Sequence, residues 1–320
     1  MMMKADRKRS HSRRLRFVSA LMCSLLLLLG CSNPKKELVQ NAPLISRSFK
    51  DDYGRSMVLS RVPTRVVSLA ANITETIYAI GAEKRVAGVS HDSDYPRAAS
   101  GLPFVITYPD FDLPSVVALN PDLVLASTEI HDSGISSFFD RYKVNLHFQD
   151  YPDMASIFES IREIGQMLAS EEAANHLADS LAAQTKMIAD STAGQIKYKT
   201  VIVLGIDPIT VVGSKSFMND MITKAGGSNP FGILPGKYPT VTADQFILAA
   251  PEYVLIPTHN DRAWNDLIAL HPEIHTKIPA TELNHIFQME PEAIVRPGPR
   301  IVEGLAYITR VLHSRVNLPM

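Results

Sequence analysis

Cysteine is nearly absent from this chain of 320 residues: Cys23 and Cys31 are its only two. Beyond residue 31 there is accordingly no disulfide framework, no thiol nucleophile and no thiolate metal site. Tryptophan occurs once and aromatic residues make up 7% of the sequence. No apolar run after the first thirty residues approaches the roughly 20 residues that span a bilayer as a helix. Excess positive charge is lacking too, with 32 basic against 33 acidic residues, which leaves no basic surface for nucleic acid. No G-x-S-x-G elbow is present, and Gly205, Gly213 and Gly226-Gly227 do not form a phosphate-cradling loop. Serine, histidine and aspartate are plentiful but scattered, so no catalytic residue is assigned, although a triad assembled by folding stays open.

What is present begins at the N-terminus. Lys4, Arg7, Lys8, Arg9, Arg13, Arg14 and Arg16 precede an uncharged apolar run from Phe17 to Gly30, the layout of a secretory signal. Its end, Leu28-Leu29-Gly30-Cys31, resembles the lipobox of bacterial lipoproteins. That resemblance implies cleavage before Cys31 and lipid on its thiol, which would hold the protein to a membrane of the cell envelope. Removal of residues 1–30 takes seven of the 32 basic residues and one of the 33 acidic ones. The remainder has 25 basic and 32 acidic residues, a net charge of −7. Residues 31–47 carry Pro34, Asn41 and Pro43 without periodicity and read as a lipid-anchored flexible linker.

Phe49 to Leu59 fits two short strands around Asp52-Tyr53-Gly54. From Arg65 onward, β-branched runs alternate with helical patterns, which predicts parallel sheets flanked by helices. Ile157, Ile161, Ile164 and Leu168 begin a long helical stretch. Leu177, Leu181 and Ile188 continue it past Ser170, a plausible cap. The alternation then restarts at Thr200. The fold class expected is α/β, with two lobes, each built on a mainly parallel sheet, bridged by one long helix. The boundaries are an N-terminal lobe over 48–152, a bridging segment over 153–192 and a C-terminal lobe over 193–320.

Several stretches together are similar to one known family. Arg65-Val-Val-Ser-Leu69, Asn72-Ile-Thr-Glu75, Val86-Ala-Gly-Val89, Ser93-Asp-Tyr-Pro96 and Ala118-Leu-Asn-Pro-Asp-Leu-Val124 occur in the first half. Ala225-Gly-Gly-Ser-Asn229, Ala249-Ala-Pro-Glu-Tyr-Val254 and Arg296-Pro-Gly-Pro-Arg300 occur in the second. In order and spacing they resemble the solute-binding proteins that deliver vitamin B12, haem and ferric siderophores to ABC importers. The resemblance implies two α/β lobes joined by a helix, a ligand cleft between them, and no enzymatic activity. Within the family the chain is most similar to the vitamin B12 binders, with Tyr108 and Tyr238 at cleft positions where those proteins have tryptophan.

In open α/β sheets ligands bind beyond the carboxyl ends of the strands. The residues directly after the expected strands are His91 and Asp92, Thr128 to His131, Asp150 and Tyr151, Asp207, and His259. With Tyr108 and Tyr238 these would line a cleft suited to a large planar chelate. Arg296 and Arg300 flank Pro297-Gly298-Pro299. They suit either acidic groups of a ligand or an ion pair holding the last helix. His271-Pro-Glu-Ile-His275 has the spacing of helical zinc ligands but lacks the adjoining glutamate, and no metal site is assigned. For permease docking the family places one acid on each lobe. Asp244 keeps the second, unless it merely caps its helix. The first falls on Pro114, with Asp110 or Asp112 as substitutes.

The reading is a lipid-anchored, monomeric solute-binding component of an ABC importer, located outside the cytoplasm. Its ligand is a corrinoid or an iron chelate, its partners are a permease and its ATPase, and it has no cofactor of its own. A haem or ferric-siderophore receptor of the same family is the near alternative. An envelope enzyme acting on a chelate, and a structural lipoprotein with a vestigial cleft, are the others.

Overall fold

Two antiparallel strands, β1 (Leu44–Lys50) and β2 (Ser56–Arg61), open the described chain and turn at Asp51 to Arg55. The computed structural model describes residues 44–108, 111–130 and 133–314. Readings on residues 1–43, which include the leader and Cys31, lie outside these, as do those on Asp110 and His131. Strand β1 begins inside the stretch read as linker. Its pairing with β2 from Leu44↔Arg61 onward orders that stretch, and no apolar alternation in the sequence signals it.

The first lobe continues as β3 (Val66–Ser68), α1 (Ala71–Ala79), β4 (Val86–Ser90), β5 (Phe104–Val105), α2 (Leu113–Ala118), β6 (Leu123–Ser127), α3 (Ser133–Arg141) and β7 (Asn145–Gln149). The strands form one parallel sheet in the order β5-β4-β3-β6-β7. All five residues of β6 are buried, as expected of a central strand covered on both faces. Its alternation sends Leu123 and Leu125 into one hydrophobic cluster and Val124 and Ala126 into another. The chain leaves β3 in opposite directions across the sheet, so the switch point lies between β3 and β6, where open sheets place their ligands.

The bridge is two helices, α4 (Met154–Leu168) and α5 (Glu171–Thr192), not the one expected. Asp153 and Ser156 form a capping box that starts α4. Ala169, at φ +52°, ends it, with its N–H returned to Gly165 O. The apolar pattern runs on unbroken because both helices face the same hydrophobic cluster. Ser170 does occupy the N-cap position of α5, but its side chain makes no capping bond. Glu171 and Glu172 instead bring negative charge to the first turn. The two helices approach so closely that a Cβ on Gly165 would lie 2.2 Å from that of Ala174.

The second lobe comprises β8 (Tyr198–Ile206), β9 (Ile209–Val211), α6 (Phe217–Lys224), β10 (Gly227–Ser228), α7 (Ala243–Ala249), β11 (Tyr253–Pro257), α8 (Ala263–Leu270), α9 (Pro272–Lys277), α10 (Pro279–Glu282), β12 (Ile286–Met289), α11 (Glu292–Val295) and α12 (Ile301–Leu312). Its parallel order is β10-β8-β11-β12, and β9 turns back antiparallel on the end of β8. One hydrophobic cluster contains Ile73 and Leu125 of the first lobe, Ile157 and Ile161 of the bridge, and Ile202 and Leu255 of the second lobe. The lobes therefore share a core at their base. Among the described residues, no helix is long and apolar enough to cross a membrane.

Candidate ligand cleft

Residues that follow the strands of the first sheet meet residues of the second lobe in two groups, and a third group lies at strand ends of the second sheet. The first encloses a cavity of about 560 Å³. Thr128 and Glu129 come directly after β6 at the switch point, and Asp150 directly after β7. Lys237 and Tyr238 reach them from the second lobe, in the segment that pairs with β9 through Val211 N–H to Pro239 O. Lys237 Nζ lies 2.5 Å from Asp150 Oδ1 and 3.6 Å from Glu129 Oε1. The Tyr238 hydroxyl donates to Glu129 Oε1 at 2.8 Å. The remaining wall is the turn between β1 and β2. Asp52 there accepts the Asp150 N–H at 2.5 Å, and Tyr53 donates its hydroxyl to Thr128 O at 3.0 Å.

These contacts set the ionisation of the walls. Burial raises the Tyr238 phenol well above the ordinary tyrosine value, and Glu129 beside it raises it further, so the hydroxyl stays protonated and remains a donor. Burial also pushes Asp150 up, but hydrogen bonds from Lys237 and Thr128 outweigh it and leave the carboxyl below its usual range. Asp52 is raised, chiefly by burial, against the pull of the Asp150 N–H.

A second group joins the lobes through arginine. Glu75 sits on α1 with 2% of its side chain exposed. Arg300 donates to both of its oxygens, from Nε at 2.9 Å and Nη2 at 2.6 Å, the bidentate geometry that favours arginine. Arg296 reaches Glu75 at 3.4 Å, Asp94 at 2.6 Å and the Asp92 carbonyl at 3.2 Å. The guanidinium of Arg300 also lies 4.3 Å above the Tyr95 ring. Between the two arginines, Pro297 O accepts from Asn72 Nδ2 at 3.1 Å. A Cβ on Gly298 would come to 3.3 Å from that of Asn72. Of the two uses open to this pair, both arginines are engaged in interlobe ion pairing.

The third group lies on the second lobe alone. His259, after β11, sits between Glu290 at 3.0 Å from Nδ1 and Glu292 at 2.8 Å from Nε2. Among the described residues these three form the one cluster close enough to hold a cation, and it does not include His271 or His275. The two glutamates engage different ring nitrogens of the imidazole.

Two α/β lobes, strand ends converging on a cleft and a helical bridge match the description of a known family. The periplasmic binding protein family matches residues 66–293. The chain belongs to this family. Its members are binding proteins of ABC importers and not enzymes. A vitamin B12-binding protein of Vibrio campbellii is 26% identical over 247 residues, covering 76% of this chain and 87% of that protein. An ABC transporter substrate-binding lipoprotein of Bacillus subtilis is 24% identical over 310 residues, covering 92% and 96%. Among solved structures, the vitamin B12-binding protein of Vibrio cholerae superposes with a TM-score of 0.70 at 20% identity, covering 78% of this chain and 97% of that one. A haem-binding protein of Pseudomonas aeruginosa gives 0.71 at 21%, covering 81% and 95%. At these identities the superpositions speak for the fold alone.

Within that fold the residues singled out from sequence are dispersed. Tyr238 lines the cavity, whereas Tyr108 is 78% exposed and outside its wall. His91 is exposed, its Nδ1 3.5 Å from the Thr107 hydroxyl, and Asp92 touches the other lobe through its backbone. The strand-end rule reaches Thr128, Glu129 and Asp150. It misses Asp52 and Tyr53, which come from a hairpin outside the parallel sheet, and Lys237, whose adjacency to Tyr238 is its only signal. On the docking side, Thr242 and Gln245 form the capping box of α7, so the exposed Asp244 is relieved of capping. Asp112 instead caps α2, accepting from the N–H and hydroxyl of Ser115.

Proposed function

We propose that this protein captures a metal chelate, a corrinoid or an iron complex, in the cleft between its lobes and delivers it to an ABC permease. Lipid on Cys31 keeps it on a membrane of the cell envelope, with its body outside the cytoplasm, while it does so. The observation that carries this reading is the cavity between Tyr53 and Tyr238, where the carboxyl ends of β6 and β7 meet the second lobe. Aromatic faces and a few fixed polar groups suit a large planar ligand. Relatives that bind vitamin B12 or haem on the same fold support the ligand class. In this reading Tyr238 contacts the ligand inside the cavity, while Tyr108, His91, Asp92 and His259 stand around the mouth. Arg296 holds the lobes together. Asp244, with Asp112 on the first lobe, faces the permease.

Titration of the purified protein with cyanocobalamin, haemin and ferric siderophores, monitored by absorbance and intrinsic fluorescence, tests the proposal. Saturable binding of one of them, weakened by Tyr238→Ala and released chemically unchanged, is expected. Absence of binding to all of them overturns it, and conversion of the ligand to a product would favour an enzyme instead.

A further inference from the structure

The charges around the cleft specify more than a chelate. Among the described residues the cavity wall holds three carboxylates, Asp52, Glu129 and Asp150, against one ammonium, Lys237, and that ammonium is already 2.5 Å from Asp150. Its other polar groups are a threonine hydroxyl and two phenols. The arginines that join the lobes are already paired with carboxylates. Arg300 is held by both oxygens of Glu75, and Arg296 is shared between Glu75 and Asp94. On the second lobe, His259 is paired with two glutamates.

We infer that the cleft selects its cargo by charge, accepting a neutral or cationic chelate and rejecting a polyanionic one. This rests on the chelate-binding reading above and adds the class of chelate. An anionic edge entering between Tyr53 and Tyr238 would meet net negative charge on the cavity wall. To gain a cationic partner it would first have to displace Asp150 from Lys237 or Glu75 from an arginine. Displacing Glu75, whose side chain is 2% exposed, strands a desolvated carboxylate, and displacing Asp150 gives up its ion pair with Lys237; both oppose an anionic ligand. A cationic edge displaces nothing: Glu129 and Asp52 accept it, and the tyrosine faces attract it. A neutral chelate meets only the hydrogen-bonding groups. The same arithmetic separates ligands of similar size and metal, so shape need not do it.

The test compares chelates that differ in charge. Ferric hydroxamates supply a cationic member with a free ammonium, ferrioxamine B, and a neutral one, ferrichrome; ferric enterobactin is the polyanionic iron chelate. Cyanocobalamin is the neutral corrinoid and diaquocobinamide the cationic one, and haemin carries two propionates. Affinities are measured on the full protein at low and moderate salt. The expected order favours the cationic or neutral member by at least about tenfold over the anionic one, with the gap narrowing as salt rises. Glu129→Gln, and separately Asp150→Asn, should narrow the gap by weakening the cation and strengthening the anion, with circular dichroism confirming that each variant is folded. Haemin or ferric enterobactin binding as tightly as the neutral chelates overturns the charge selection and leaves the chelate reading standing. So does a gap unmoved by both variants. Failure of every chelate to bind overturns the functional reading and this inference with it.

Discussion

Glu75 and Arg300 stand 225 positions apart in sequence and meet in a bidentate ion pair that joins the two lobes. Glu75 is almost wholly buried on α1, whereas Arg300 retains about a fifth of its exposure at the start of α12. Removing the carboxylate leaves two guanidinium groups facing each other with Asp94 as their remaining acid. Glu75→Ala should therefore cost about 3 kcal/mol, the low end for a broken buried pair because the arginines keep some solvent. Urea denaturation measures it directly. Arg300→Lys should cost less than Glu75→Ala but more than a surface change, because an ammonium cannot engage both oxygens in the plane of the carboxylate.

Acid should loosen the same junction. The Arg296 hydrogen bond holds Asp94 below its ordinary value of 3.8, so its contribution is fully present above the unfolded value. It is lost as pH falls through the depressed folded value. Asp52 runs the other way: its folded value is raised, mainly by burial, so ionising it opposes folding and acid relieves that cost. The stability difference between the wild-type protein and Asp94→Asn should be constant above about pH 5 and shrink as pH falls through the depressed folded value. For Asp52→Asn the difference should carry the opposite sign. Denaturation series at stepped pH check both.

The bridge tolerates no added methyl at its closest point. Although alanine is the better helix former, Gly165→Ala would drive a Cβ into that of Ala174. A loss of about 1–3 kcal/mol is expected, seen as a lower melting temperature. Ala174→Gly in the same background should recover part of the loss, since it reopens the space.

Docking should separate from binding at Asp244. Thr242 and Gln245 already cap α7, so Asp244→Lys leaves the helix start closed. Ligand affinity should stay within about twofold, while ligand-stimulated ATPase activity of a reconstituted importer falls roughly tenfold. Equal loss in both measurements would place Asp244 in ligand recognition instead.

How far the sequence reached depended on the length scale of the signal. Strand β6 was legible because Leu123 to Ala126 is an apolar run that the fold buries on both faces. The short strands β5, β10 and β12 were not, since two to four residues carry no period of their own. The break between α4 and α5 was hidden because Leu177, Leu181 and Ile188 continue the spacing of the preceding helix. In the cleft, Thr128, Glu129 and Asp150 were reachable from the rule that ligands sit beyond parallel strands. Asp52 and Tyr53 were not, as that rule does not address an antiparallel hairpin. No local pattern links Glu75 to Arg300; the sequence offered Arg300 for an ion pair but could not name its partner across 225 positions.

The hairpin carries one more consequence. Strand β1 is the first described element after the proposed anchor, and its turn supplies Asp52 and Tyr53 to the cavity. Cargo and mooring are thus 21 positions apart along the chain, from Cys31 to Asp52. A truncation that removes Leu44 to Lys50, or a bulky fusion set against them, should alter cargo affinity while leaving both sheets untouched. Measurements on shortened forms of the protein would then report a damaged wall as a weak ligand.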